Sequence, residues 1–342
     1  MKKRHINIPV FIPHLGCPNN CTFCNQKTIS GVSDFYPESV IPIIEETLST
    51  VNACDTAEIA FFGGSFTGID RDLMINLLSI ANRYLKQGRI TSIRCSTRPD
   101  YINDEILDIL KNFGVNTVEL GLQSVSDKVL FACNRGHTSY DAAVACDKIK
   151  EKGITLGGQM MIGLPSSTLD DEIKTAEFIV SKGASEARIY PTVVFHDTEL
   201  CNSTLRGEYI PLSPEEAISR SAEVFGVFVK AGVKVLRIGL CDSENLHSDK
   251  TYFAGPNEAA IGEMVVNRYY SNLLDEKIKE INLKNYSDLF VYVSKGHVSK
   301  VIGQHKKNKI RLLKEYGFSA VKIIESDEVA EYDVFLRIEE RK

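Results

Sequence analysis

Gly16-Cys17-Pro18-Asn19-Asn20-Cys21-Thr22-Phe23-Cys24-Asn25 places three cysteines at C-x3-C-x2-C spacing just after the apolar run Ile8–Ile12. A short apolar run bounded by Pro and Gly predicts a buried strand, so the cysteines belong to the loop at its carboxyl end. Three thiolates this close can ligate three irons of a cubane cluster and leave the fourth iron without a protein ligand. The amino and carboxylate groups of S-adenosylmethionine (SAM) can chelate that open iron. One electron then cleaves the sulfonium to methionine and a 5′-deoxyadenosyl radical. The competing assignment is a zinc knuckle, which wants a fourth Cys or His at comparable spacing. His14 lies before the loop, on the strand side.

Outward from this loop, short apolar runs alternate with longer amphipathic stretches. Strands are expected at Ile8–Ile12, Ala57–Phe62, Ser92–Ser96, Thr117–Gly121, Thr155–Ile162 and Glu186–Thr192, with helices at Glu38–Leu48, Asp72–Leu85, Asp104–Asn112, Tyr140–Lys152 and Leu169–Ser181. Six βα units of this kind predict an α/β protein with a parallel, partial (β/α)6 barrel, whose ligands sit at the carboxyl ends of the strands. A further helix, Ser213–Ala231, leads into a strand at Val233–Ile238. We divide the chain into a barrel domain (1–250), a connector (251–282) and a small α+β module (283–342).

The strand ends carry the polar residues. Gly63 and Gly64 follow the second strand, where the missing Cβ lets backbone approach a ligand and offers carbonyls to the SAM ammonium; a simple tight turn is the alternative. The third strand ends in Ser96-Thr97-Arg98-Pro99-Asp100, either a ligand rim or a helix entry. Glu119 lies within the apolar fourth strand and needs a partner, either in a polar site or in a structural pair. Gln123 and Ser124 emerge at the end of that strand. The fifth gives Met161-Ile162-Gly163-Leu164-Pro165, an apolar wall and turn suited to an adenine ring.

Together the cysteine loop, Ser96–Asp100, Glu119–Ser124, Asn134-Arg135-Gly136-His137-Thr138, Met161–Pro165 and Arg188-Ile189-Tyr190-Pro191-Thr192 resemble the radical SAM superfamily, and more closely the radical SAM domain of the Elongator catalytic subunit. The resemblance covers most of residues 7–240. It implies a radical SAM barrel with a 4Fe–4S cluster on Cys17, Cys21 and Cys24, and SAM lined by Gly63, Gly64, Ser96, Gln123 and Arg188, with Ile162, Gly163 and Leu164 near the adenine. It also implies a one-electron donor such as flavodoxin or ferredoxin. Two features depart from the Elongator pattern: the first gap of the cysteine motif is shorter, and no acetyltransferase domain follows the barrel. The carboxymethylation of tRNA uridine is therefore not carried over.

The last residues change character. Lys295–Lys314 holds seven Lys/Arg and no Asp or Glu, in a chain of 342 residues with formal net charge −5. Val298–Ile310 is similar to a KH-type helix–loop–helix, in which a Gly-rich loop clamps single-stranded RNA. Gly303 fits that loop, while Lys306 stands where the second glycine is usual. Lys300, Gly303, Lys306, Lys307, Lys309 and Arg311 are the expected RNA contacts; a small capping module with a charge-balancing helix is the alternative. Strands are expected at Asp288–Val293, Ala320–Ile324 and Asp333–Ile338.

The negative charge excludes indiscriminate coating of nucleic acid. The basic start Met1–His5 leads into Ile6–Pro13, too short and proline-broken for a signal-peptide core or membrane span, and nine cysteines, an odd number, do not suit a disulfide framework, so a cytoplasmic protein is expected. Cys54, Cys95, Cys133, Cys146, Cys201 and Cys241 form no second tight motif; Cys201 and Cys241 are the candidate mechanistic thiols. The leading expectation is a transferase that modifies a base of tRNA or rRNA with a methyl, methylthio or related group, on an extruded or single-stranded base. The alternatives are a radical enzyme acting on a small molecule, such as a tetrapyrrole precursor, or on a peptide, and a non-catalytic zinc-containing RNA-binding protein.

Overall fold

The computed structural model describes residues 4–12, 15–17, 21–25, 35–52, 55–240, 246, 248–281 and 286–340. The first unit is a ladder of parallel strands: β1 (His5–Phe11), β2 (Thr56–Phe62), β3 (Ser92–Thr97), β4 (Thr117–Gln123), β5 (Thr155–Ile162) and β6 (Glu186–Pro191). Between them run α1 (Val40–Ser49), α2 (Arg71–Lys86), α3 (Asp104–Asn112), α4 (Asp127–Ala132), α5 (Ser139–Glu151) and α6 (Leu169–Ser181). Thr138 and Thr168 close capping boxes at the starts of α5 and α6, which is why those helices begin where they do.

Period-two alternation sorts the strands' side chains. Ile59, Phe61, Ile93, Val118, Leu120 and Leu122 go into the core shared with the helices, while Glu58, Arg94 and Glu119 fall on the opposite, concave face. The strand expected at Val233–Ile238 joins the six as β8 (Lys234–Ile238), and the resulting seven-stranded sheet has the order β1-β2-β3-β4-β5-β6-β8. After the short β7 (Val194–Phe195) and α7 (Glu199–Leu205), α8 (Pro214–Lys230) carries the chain back to β8 (Lys234–Ile238), which pairs parallel with β6. β1 and β8 are the free edges, so the curled sheet is an open half-barrel.

The stretch expected to be a connector holds β9 (Tyr252–Ala254), paired with β7, and a long helix, α9 (Ile261–Lys279). α9 has no side-chain N-cap and buries Asn267 and Ser271 beside Val265, Tyr270 and Leu274, so its apolar stripe is too interrupted to announce a helix. Its far side supports the C-terminal module: β10 (Tyr286–Val293), α10 (Val298–Ile302), α11 (Lys307–Glu315), β11 (Ala320–Glu325) and β12 (Val334–Glu340), with strand order β11-β10-β12. Asn308 donates to the Asn267 carbonyl at 2.9 Å, Arg311 pairs with Asp275 at 2.7 Å, and buried Tyr270 meets His297 at 2.5 Å. Among the described residues, no helix is long and apolar enough to cross a membrane.

Candidate active site

The cysteine loop nests on the loop that follows β2. Gly16 has φ +73°, and a Cβ there would stand 2.3 Å from the Ser65 carbonyl oxygen; a Cβ on Gly64 would stand 2.4 Å from that of Leu15. The Ser65 amide donates to the Leu15 carbonyl at 3.1 Å, and the Ser65 hydroxyl lies 3.4 Å from Cys17 Sγ. Gly16 and Gly64 thus let the two loops approach closely, while Gly63, at φ +98°, lies against the Ile12 backbone.

Two more loops anchor the next cysteines. The Thr22 amide donates to the Cys133 carbonyl at 3.0 Å, the Leu200 amide at the start of α7 donates to the Thr22 carbonyl at 2.8 Å, and Asn25 reaches the His196 carbonyl at 3.5 Å. Arg135, just past α4, donates to Cys21 Sγ at 3.3 Å and to the Gly121 carbonyl at 2.5 Å. Arg98 donates to the Arg135 carbonyl at 2.5 Å and grips Asp100 through two 2.9 Å bonds. Arg98 and Arg135 are both buried. Among the described residues, no three His, Cys, Asp or Glu side chains gather at a single-ion position.

Around this loop, among the described residues, lie buried polar atoms with no partner: Arg98 Nη1, Gln123 Oε1 and both ring nitrogens of His137. Gln123 also has φ +66°, at a break in the β4–β5 register. Native interiors pair such groups, so a cluster of orphans beside three thiols and two guanidiniums is the lining a polar, charged cofactor would complete. The residues present fit an iron–sulfur cluster with SAM.

His137 adds a measurable consequence. Burial and the adjacent Arg135 charge pull its pKa down to about 4 from an ordinary value of 6.5. The ring is neutral in the fold, and below pH 6.5 the unfolded chain holds the extra proton. Stability from this group is therefore complete above pH 6.5 and drains as pH falls through about 4. In the metal-free chain, His137→Phe is expected to flatten the pH dependence of urea unfolding across that window. An unchanged slope would show that other groups set it.

The concave floor below is a charge network. Glu119 accepts from Arg94 at 2.7 Å, Gln159 at 2.9 Å, and Arg188 at 2.5 and 3.0 Å. Arg94 also pairs with Glu58, and with Glu186 at 3.0 Å. Burial would raise the Glu119 pKa, yet the Arg188, Gln159 and Arg94 contacts hold it below the ordinary carboxylate value. Glu119 is thus structurally paired. Arg188, expected to line SAM, spends two bonds on Glu119 and lies over the Phe62 ring at 5.2 Å. Ser96 joins the same network through Gln159 at 3.4 Å.

At the end of β5, Ile162 is fully buried in the main core shared with the helices, while Leu164 packs with Val129 and Cys133 and against Phe23 of the cysteine loop. Gly163 is clamped on both sides: its amide donates to Glu172 at 2.7 Å, and its carbonyl accepts from the Tyr209 hydroxyl at 2.6 Å. Arg220 holds the same Glu172 at 2.8 Å. The sequence reading missed Glu172, Tyr209 and Arg220; a carboxylate among the buried positions of α6 was their one available signal.

Cys201 sits on α7 in an apolar cluster with Val194 and Leu200, and burial pushes its thiol pKa up, which does not suit a nucleophile. Cys241 lies outside the described residues. In the C-terminal module Gly303, His305 and Lys306 have φ of +78°, +50° and +60°, so Lys306 keeps a left-handed backbone at the second-glycine position. Lys306 and Lys307 are exposed and Lys309 half-buried. Lys300 lies 3.1 Å from His297 Nε2. Arg311, expected to touch RNA, is instead tied to Asp275 at 2.7 Å and Glu315 at 3.0 Å.

Comparison with known proteins agrees with this architecture. A model of the radical SAM superfamily matches residues 11–179, and one of a radical SAM C-terminal domain matches residues 184–271. A tRNA uridine(34) acetyltransferase of Methanocaldococcus infernus is 32% identical over 133 residues, 38% of this chain and 25% of that protein. The chain thus spans about a quarter of that relative's length. The heme chaperone HemW of Bacillus subtilis is 25% identical over 297 residues, 81% of this chain and 77% of that one. Among solved structures, archaeal Elp3 of Methanocaldococcus infernus with an N-terminal deletion superposes with a TM-score of 0.64 at 21% identity, covering 81% of this chain and 64% of that one. That likeness speaks for the fold.

Proposed function

Because the chain belongs to the radical SAM superfamily, whose members use a 4Fe–4S cluster and SAM, we propose that it is an RNA-modifying radical enzyme with Cys17, Cys21 and Cys24 as its cluster ligands. When bound, the cluster and SAM supply one-electron cleavage of the sulfonium, which delivers a carbon-centred radical. The chain's own residues hold the reactants and exclude water. Arg135 donates to the Cys21 sulfur, Arg98 holds the Arg135 carbonyl, Gln123 offers an unpaired carbonyl oxygen, and Glu172 with Tyr209 fixes the Gly163 turn.

One observation carries the choice of RNA: the helix–turn–helix of α10 and α11 keeps left-handed backbone at Lys306 and presents Lys306 and Lys307 to solvent. Such a turn suits the phosphate backbone of a single strand. The tRNA-directed acetyltransferase among the relatives supports the same class. Lys306→Glu with Lys307→Glu is expected to weaken RNA binding and to lower the slope of log affinity against log salt by about 2, with RNA-free SAM cleavage unchanged. Unaltered binding would remove this module from the RNA site.

The activity test is anaerobic incubation of the reconstituted protein with SAM, a reductant and RNA from a strain lacking the gene, followed by mass spectrometry of digested nucleosides. A new nucleoside supports the proposal. SAM cleavage without one favours the second reading, a tetrapyrrole or other small-molecule ligand. That reading is supported by the heme chaperone, whose alignment runs along most of both chains; heme absorbance titration tests it directly.

A further inference from the structure

We infer that Arg135 sets the reduction potential of the cluster, acting through the sulfur of Cys21. The inference rests on the proposal that Cys21 is a ligand, and it is independent of the substrate. Three observations carry it. The guanidinium donates to Cys21 Sγ at 3.3 Å, within reach of an N–H···S hydrogen bond. The side chain is 7% exposed, so its charge acts at low dielectric. Its direction is fixed from both ends, because Nη2 is held by the Gly121 carbonyl at 2.5 Å and the Arg135 carbonyl by Arg98 at 2.5 Å.

One-electron reduction by a low-potential protein donor, or by dithionite in the test, adds one negative charge to the cluster and its thiolates. A buried cation hydrogen-bonded to one of those sulfurs stabilises the reduced form more than the oxidised one and raises the potential. Arg98 is the second nearby guanidinium, but its bidentate pair with Asp100 offsets its charge. Arg135, by contrast, donates directly to the Cys21 sulfur. Arg135 is therefore a positioning residue with an electrostatic output.

The test uses the full-length reconstituted protein. Wild type, Arg135→Met, Arg135→Gln and Arg135→Lys are compared by iron and sulfide content, thermal melting, and potentiometric titration followed by electron paramagnetic resonance. The expected result is a midpoint shifted negative in the Met variant, a smaller shift in Gln, and partial recovery in Lys, with iron content and melting unchanged. A Met variant with full iron and the wild-type midpoint overturns the inference. Loss of iron in all three variants, with wild-type melting, also overturns it, because Arg135 then only holds the loop. A wild-type chain that takes up no cluster sinks the ligand proposal itself and the inference with it.

Discussion

Replacing Cys17, Cys21 or Cys24 by Ala is expected to reduce iron and acid-labile sulfide to background after anaerobic reconstitution and to abolish formation of methionine and 5′-deoxyadenosine from SAM. A cubane held by three thiolates has no spare protein ligand, so each substitution removes a bond that nothing replaces. The fold is expected to survive. Backbone hydrogen bonds at Ser65, Thr22 and Leu200 tie the loop down, and the substitutions leave them in place. Circular dichroism and thermal melting should therefore match wild type while iron is lost. Full iron and undiminished SAM cleavage in any one variant would exclude that cysteine as a ligand. Zinc in place of iron and sulfide would return the loop to the zinc-knuckle assignment.

Glu119→Ala should be the most destabilising single change in the barrel. Glu119 is 1% exposed and receives charge-assisted bonds from Arg94 and Arg188. Removing it leaves two buried guanidiniums facing each other with fewer carboxylates between them. Breaking a buried ion pair costs about 3–5 kcal/mol, and in a domain of this size that corresponds to a fall in Tm of roughly 10 °C. Glu119→Gln keeps the shape and one acceptor oxygen and should lose less. Denaturant unfolding of the metal-free chain separates these outcomes from cofactor effects. A loss below about 1 kcal/mol in the Ala variant would mean that Glu58 and Glu186 already neutralise the network.

The strands and their ends were legible because each has a local cause: an apolar run, a breaking Gly or Pro, and then polar residues. The cysteine loop was legible because its spacing is itself the chemistry. Partnerships across long stretches of chain were not. Arg311 reads as one more cation in a basic run until the fold brings Asp275 beside it. Arg135 shows nothing in sequence to connect it with Cys21, since the register that joins them is set by α4 packing onto the loop. Helix α9 was hidden because it buries polar as well as apolar positions between two units, which blurs the period that identifies a helix. Glu119 shows both sides: its need for a partner was readable from burial, whereas the identity of that partner waited on the sheet order.

The backbone anchors of Thr22 bear on how the protein is made. The three cysteines leave the ribosome before Cys133 and Leu200, yet the amide of Thr22 is held by Cys133 and its carbonyl by Leu200. Chains emerge from the N-terminus at a finite rate, so between synthesis of Cys24 and synthesis of Leu200 the three thiols are present without the walls that shape them. The nest is finished only after α7 has emerged, so a cluster loaded onto these thiols is expected to enter after α7 has been made rather than as the cysteines appear.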